Sequence, residues 1–377
     1  MAAPTRVAFD VGPLHGHRTG IGTAVVSLLD ALGGVAATGD ETGDDAIELV
    51  PYLLSARASL RRSDGVRRLP IPAALAHRLW ARGDRPRLDH WFGDVDVVHG
   101  TNYVVAPTST TSLVSVYDCW FLANPQLADG AVARAGAVLA RRVAGGAHVH
   151  TSSHASAAAV RALLDTDRVT AIHLGPPALG DVPPHPPVSG LPRQPFVLAL
   201  GTRERRKNLP RLLGAFGALA EHHDVALVIA GAAGDDDAAV KSAIDRLPAR
   251  ARGRCWLLGA IDAATRSWLL HHAHVIAYPS LDEGFGFPVL EAHLAGVPLV
   301  AANAGSIPEV AGDGALLVDP LAVDELSAAL ARAVTDDALR ARLVRDGAEN
   351  VQRFSWQRTA HQMAALYRRL AAEAKAS

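Results

Sequence analysis

Between residues 176 and 195 the chain carries eight prolines in twenty positions: Pro176, Pro177, Pro183, Pro184, Pro186, Pro187, Pro192 and Pro195. Proline has no backbone N–H and a fixed φ, so a stretch this dense forms neither a helix nor a central strand. It reads as a semi-rigid linker, placed at residues 179–195. The linker separates a first domain, residues 1–178, from a second, residues 196–355, with residues 356–377 left as a terminal helix. A length of 377 residues accommodates two domains of ordinary size more readily than one oversized core.

Both sides of the linker carry the same pattern. Residues 7–11 form a short apolar strand, followed by a loop with Gly12, Pro13, Gly16, Gly20 and Gly22. A helical spacing of apolar residues then begins at Ile21, Val25, Leu28, Leu29 and Leu32. Further strands are predicted at 47–53, 95–99, 112–116 and 147–151, with helices at 131–143 and 155–164. After the linker, strands at 196–200, 225–230, 255–258, 275–277 and 298–301 alternate with helices at 209–219, 238–247, 264–271, 289–295 and 323–334. Residues 356–370 form an amphipathic helix. This alternation predicts two α/β domains with mostly parallel sheets, and a ligand in the cleft between them beyond the carboxyl ends of the strands.

Charge and cysteine content narrow the function. Thirty-seven basic residues against 38 acidic ones leave a formal charge of -1, which argues against a nucleic-acid partner. Cys119 and Cys255 form no Cys-x-x-Cys pair and read as buried thiols. Residues 1–10 do not resemble a signal peptide, and no uncharged apolar run reaches the ~18 residues of a membrane span. The expectation is a cytoplasmic protein with no transmembrane segment.

The densest chemical signal is Pro279-Ser-Leu-Asp-Glu-Gly-Phe-Gly-Phe-Pro-Val-Leu-Glu291. Gly284 and Gly286 let backbone approach a ligand, and Pro288 opens a helix whose N-terminus suits a phosphate. Glu283 and Glu291 can accept hydrogen bonds from sugar hydroxyls. A second signal, Gly201-Thr-Arg-Glu-Arg-Arg-Lys-Asn208, places Arg206 and Lys207 just past a strand, where cations stabilise a departing diphosphate. Lys207 is one of only three lysines, with Lys241 and Lys375, in a chain that otherwise uses arginine. A compact ammonium kept at that point suggests that a guanidinium does not substitute for it.

The stretch 283–291 resembles the Glu-x7-Glu signature of retaining glycosyltransferases of family 4, and the following residues, to Pro320, resemble the family's next segment. The resemblance implies an α/β chain of the GT-B type: two Rossmann-like domains with a cleft between them, and a C-terminal helix packing back on the first. It implies Glu283, Gly284, Phe285 and Gly286 at the donor sugar, Glu291 at the ribose, and backbone amides near Val289 and Leu290 facing the diphosphate. Arg206 and Lys207 match the Arg-Lys-Asn form of mannosyltransferase-like members. Thr19-Gly-Ile-Gly22 resembles the family's glycine pair beside the donor phosphate, hence Gly20 and Gly22, with Arg18 a further anion-binding candidate. Residues 114–122 resemble the strand that usually ends in His-Asp; here Tyr117 stands where the His commonly sits, before Asp118. Tyrosine donates a hydrogen bond but is no base near neutral pH, so a mechanism needing histidine there is in doubt.

Other clusters carry less. Asp235-Asp-Asp237 invites a metal but reads as a solvated turn, and the pairs around His222 and His271 lack a ligand set. His99 and His173 lie at strand or loop ends, with structural roles favoured. Residues 151–153 resemble a family segment without an assignable role. The resulting expectation is a retaining, metal-independent hexosyltransferase, with Glu283, Arg206, Lys207, Tyr117 and Asp118 at the reaction centre. It has no cofactor beyond its co-substrate, GDP-mannose first and a UDP-sugar second. The acceptor is a glycan, lipid-linked saccharide or metabolite, with at most peripheral membrane contact. The competing readings are a sugar-nucleotide epimerase on the same architecture and a catalytically silent nucleotide-sugar binder.

Overall fold

The computed structural model describes residues 3–15, 20–37, 46–54, 65–69 and 71–376. The chain divides into two compact units, Met1–Gly175 with Phe354–Ser377, and Pro176–Arg353.

The first unit is built on a seven-stranded parallel sheet: β1 (Thr5–Asp10), β2 (Ile47–Leu54), β3 (Arg67–Leu69), β4 (Val97–Gly100), β5 (Thr111–Val116), β6 (His148–Thr151) and β7 (Val169–Ala171). Their order is β3-β2-β1-β4-β5-β6-β7. The chain runs outward from β1 to β3, then returns to the far side of β1 and runs outward again. The reversal between β1 and β4 opens a crevice at the carboxyl ends of those two strands. Alternation along the strands sends side chains to opposite faces. Val7, Phe9, Val97 and Leu113 pack with Met363, Tyr367 and Leu370 of the terminal helix Trp356–Ala376, while Ala8, Val98, Val114 and Val116 pack with Trp80, Leu139 and Val160. The terminal helix thus belongs to the first unit.

A buried polar chain fastens that helix. Tyr367 OH lies 2.7 Å from His99 Nδ1, His99 Nε2 lies 2.8 Å from Ser115 Oγ, and Ser115 Oγ lies 2.9 Å from His150 Nδ1. His150 Nε2 ends the chain at the carbonyl oxygen of Ile172, 3.4 Å away. A carbonyl only accepts, so His150 Nε2 carries the proton, and every other donor follows: Ser115 donates to His150, His99 to Ser115, and Tyr367 to His99. Burial holds both imidazoles neutral, pushing His99 well below its usual range and His150 down to about 4.

The second unit repeats the doubly wound plan with six parallel strands: β8 (Phe196–Leu200), β9 (Ala226–Ala230), β10 (Cys255–Leu258), β11 (Val275–Tyr278), β12 (Leu299–Ala302) and β13 (Ala315–Val318). Their order, β10-β9-β8-β11-β12-β13, puts the reversal between β8 and β11. The proline-rich segment has no helix or strand and goes with this unit. Ser267 Oγ donates to Gly180 O and Trp256 Nε1 to Gly190 O, each at 2.7 Å.

Candidate active site

At the reversal point of the second sheet, the loops leaving β8 and β11 lie side by side, and each is shaped by its own residues. Beyond β8, the backbone of Gly231 crosses Gly201 so closely that a Cβ there would sit 1.9 Å from the Gly201 carbonyl oxygen. The buried Arg203 then braces the loop, its Nε donating to Asp237 Oδ1 at 2.5 Å and its Nη1 to Gly231 O at 2.5 Å. Arg205 N–H donates to Asp235 Oδ1 at 3.0 Å. The acidic run 235–237, read from the sequence as a solvated turn, is a turn with Asp235 exposed, and its Asp235 and Asp237 also brace this loop. The brace forms because Arg203 turns inward and is buried. A single turn, Arg205–Lys207, follows, and Asn208 adopts the left-handed conformation (φ 57°) that starts the helix Leu209–His222. Asn208 Nδ2 donates to Pro279 O at 2.9 Å and Pro320 O at 2.7 Å, pinning the loop to those beyond β11 and β13.

Glu283 joins the two loops. Lys207 Nζ donates to its Oε1 at 2.6 Å, and Arg206 Nη1 donates to its Oε2. Arg206 also donates to Asp282 O at 3.0 Å, and Leu281 N–H to Arg206 O at 2.8 Å. The ammonium lies 5.0 Å from the centre of the Tyr278 ring, a cation–π contact, and 3.4 Å from that residue's hydroxyl. Burial alone would raise the Glu283 pKa, but Lys207 and then Arg206 outweigh it and hold the carboxyl at about 2. Glu283 is therefore ionised at any physiological pH, with both oxygens engaged.

Gly286 (φ 97°) turns the backbone into the helix Phe287–Ala295, with Pro288 in its first turn. Phe285 is buried edge-on against Phe287, ring centres 5.6 Å apart. Val289 N–H donates to Gly286 O at 2.9 Å, so this amide is spent inside the helix start and does not present itself as the diphosphate donor expected from the sequence. Val289 and Leu290 are fully buried. Glu291, one turn on, is buried and clasped by Arg266, whose Nε donates to Oε1 at 3.0 Å and Nη2 to Oε2 at 2.5 Å. Arg266 escaped the sequence reading. It sits on the helix Ala263–His272, one residue past the Thr265 amide that Asp262 caps, and only the tertiary fold shows its partner. Tyr278 feels both carboxylates: burial first, then Glu283, and more weakly Glu291, raise its pKa well above the phenolic range. Ser306 N–H donates to Glu283 O at 3.0 Å, and Ser306 Oγ is buried with no hydrogen-bond partner among the described residues.

The remaining candidates belong to the first unit. Gly20 is exposed at the start of the helix Gly20–Ala37 and Gly22 is buried in its first turn; Arg18 lies outside the described residues. Tyr117 is buried just beyond β5, edge-on to Tyr103 at 6.4 Å, and burial raises its pKa, so it stays a protonated phenol. Asp118 accepts from Tyr103 OH at 2.9 Å and Trp120 N–H at 3.2 Å. His99 is a core residue of the chain to Tyr367, and Thr359 Oγ1 donates to His173 O at 2.7 Å. In the segment 151–153, Ser153 caps the helix His154–Leu164. Cys119 is buried, and Cys255 is a half-buried thiol that burial pushes up to about 12. Among the described residues no helix is long and apolar enough to cross a membrane.

Residues 183–350, which include every candidate of the second unit, match the model of the family described as glycosyl transferases group 1. The chain is 34% identical over 179 residues to the O-antigen chain mannosyltransferase B of Escherichia coli, covering 47% of this chain and 46% of that protein. It is 35% identical over 188 residues to the phosphatidyl-myo-inositol mannosyltransferase of Mycolicibacterium smegmatis, covering 48% and 47%. The matched region thus spans about half the length of each relative. In fold it resembles the sucrose-phosphate synthase of Thermosynechococcus elongatus, with a TM-score of 0.72 at 19% identity over 98% of this chain and 100% of that one. Residues 183–350 thus match the glycosyl transferases group 1, within a chain whose fold is two Rossmann-like units of the GT-B type.

Proposed function

We propose that the chain is a retaining glycosyltransferase that moves a hexose, mannose favoured, from a nucleotide-diphosphate sugar to a hydroxyl of a glycan, lipid-linked saccharide or small metabolite. The observation that carries this reading is Glu283 held by Arg206 and Lys207 at the reversal point of the second sheet, beside the start of the helix that bears Glu291. Two cations meet one buried carboxylate, Glu283, with Glu204 a further partner of Arg206 at 3.4 Å, and a helix N-terminus adds positive potential. A diphosphate leaving group fits that field, so no resident metal is needed for charge stabilisation. With both oxygens engaged, Glu283 is a hydrogen-bonding partner for the donor sugar and a poor nucleophile. Retention then follows from attack on the face the diphosphate leaves. The bond from C1 to the phosphate oxygen breaks, the bond to the acceptor oxygen forms on the same side, and the departing phosphate takes the acceptor's proton. Glu291, oriented by Arg266, accepts from the ribose hydroxyls. GDP-mannose is the favoured donor and a UDP-sugar the second; both similar relatives named above are mannosyltransferases by description.

A thermal-shift panel of GDP-, UDP-, ADP- and TDP-sugars tests the donor. A ligand at about 100 times its Kd stabilises by about 2.7 kcal/mol, a rise of several degrees. The expected order is GDP-mannose, then UDP-sugars, and no rise with any sugar nucleotide overturns the reading. Glu291→Ala is expected to weaken donor affinity about tenfold or more, the loss of a hydrogen bond to a charged group, with turnover of the bound donor less affected. Isothermal titration with the preferred donor checks it. EDTA is expected to leave transfer unchanged.

A further inference from the structure

The reversal point of the first sheet carries chemistry that the donor site does not use. Asp10 is the last residue of β1, the strand next to which the sheet reverses, and its side chain is only half-buried. One carboxylate oxygen, Oδ1, accepts from Gly12 N–H at 2.8 Å, and among the described residues Asp10 has neither an ion pair nor a further side-chain partner. Burial pushes this carboxyl up to about 7, with the Gly12 amide the one opposing effect. The titratable groups that sense it are phenols: Tyr52, its register partner on β2, and Tyr117 beyond β5. Across the crevice, the loop after β4 is tied to the same point by Thr101 Oγ1, which donates to Asp10 O at 2.8 Å. The next residue, Asn102, has a buried Oδ1 with no hydrogen-bond partner among the described residues. After it the backbone turns sharply: Tyr103 takes φ 59°, uncommon for an aromatic residue, and Val104 N–H donates to Asn102 O at 2.7 Å. A Cβ on Gly100 would lie 1.9 Å from Val104 O, so this turn tolerates only glycine there.

The ends of two adjacent strands thus hold a carboxylate oxygen, Asp10 Oδ2, and an amide oxygen, Asn102 Oδ1, both acceptors without donors among the described residues. An anion is repelled by Asp10, and Asn102 offers a neutral oxygen. The group that satisfies both is a pair of hydroxyls, each able to donate one proton. We propose that Asp10 and Asn102 form a hydroxyl-binding subsite of the first unit, which grips neighbouring hydroxyls of the acceptor saccharide. The proposal rests on the glycosyltransferase reading for the word acceptor, but the binding of a polyol is independent of it.

The probe is methyl α-D-mannopyranoside, used with the full chain labelled with 13C at the aspartate carboxyls. One carboxyl resonance is expected to titrate near neutral pH, to vanish in Asp10→Asn and to shift when the mannoside is added. In the transfer assay with the donor found by the thermal panel, Asp10→Asn and Asn102→Ala are each expected to lower transfer to the mannoside at least tenfold. The melting-temperature rise produced by GDP is expected to survive in both, because neither substitution touches Arg206, Lys207, Glu283 or Glu291, which lie in the other unit. A wild-type carboxyl that titrates near 4 and ignores the mannoside, or variants that transfer at the wild-type rate, overturns the subsite. Should Asp10→Asn fail to fold, the response of the wild-type resonance to the mannoside still decides. If no nucleotide sugar raises the melting temperature while the Asp10 resonance responds to mannoside, the transferase reading falls and the hydroxyl site stands.

Discussion

Lys207→Ala is expected to slow glycosyl transfer by about 10²–10³-fold, the usual cost of removing one preorganised group that stabilises developing charge. The ammonium is held within 2.6 Å of Glu283 and against the Tyr278 ring, so it cannot swing away, and water would replace it poorly. In the proposed mechanism its loss removes one of the two cations facing the leaving diphosphate. It also leaves Glu283 with Arg206 as its one ionic partner among the described residues. That costs stability as well, though less than the roughly 3–5 kcal/mol of a fully orphaned buried charge. Lys207→Arg is not expected to restore activity. The planar guanidinium does not reproduce the compact ammonium that lies 2.6 Å from Glu283 Oε1 and 5.0 Å from the centre of the Tyr278 ring. Steady-state kinetics with the preferred donor, alongside a thermal melt, separate the two effects. Activity of Lys207→Ala within a few-fold of wild type refutes the electrostatic role.

Acid is expected to unfold the first unit in a way that traces to His150. Its folded pKa of about 4 lies below the unfolded value of 6.5, so between those limits the unfolded state binds more protons. The stability that His150 contributes is intact above pH 6.5 and is lost as pH falls toward 4, on the order of 3 kcal/mol in all. His99, also depressed by burial, and His148, lowered to about 4, act in the same direction. Asp10 acts in the opposite sense. Its carboxyl is raised to about 7, so its contribution is present at low pH and is lost as pH rises through that value. The two effects overlap, which is why the informative quantity is a difference. Thermal melts of wild type and His150→Gln from pH 7.5 to 4.5 should converge as the pH falls, because Asp10 titrates in both and His150 in one. Parallel curves would mean that His150 is not held neutral. Tyr367→Phe removes the first donor of the same chain, leaves His99 Nδ1 without its partner, and is expected to loosen the terminal helix by about 1–3 kcal/mol.

Much of the fold was legible in the sequence because its signals are local. Central strands such as β8, β9 and β11 are continuous apolar runs, buried on both faces, and the helices between them carry a clear periodicity. The strands that went unread are edges. β3 is Arg67-Arg-Leu69 and β7 is Val169-Thr-Ala171, three residues each with one side buried. β13 was quoted in the family-like segment 296–320 but not read as a strand. The helix Asp337–Asn350 also went unread, since its buried apolar side chains are few and charged residues fill the rest. In the candidate site, Glu283, Arg206 and Lys207 were legible as chemistry because they sit in glycine-bearing loops after strands. Arg266 and the brace between Arg203 and Asp237 were not. Their meaning lies in a partner on another element, and an arginine on a helix or in a basic loop looks the same paired or solvated.

Residue order alone determined the alternation of strands and helices, the glycine and proline positions that break them, and the two loops rich in functional side chains. These depend on backbone preferences that act over a few neighbours. The tertiary structure decided which strands lie side by side. Placing β8 beside β11 brings Lys207 to Glu283 across 76 residues, and placing β1 beside β4 brings Thr101 to Asp10 across 91. Strand order is set by how the helices cover both faces of each sheet, a property of the whole unit that no short stretch of sequence contains.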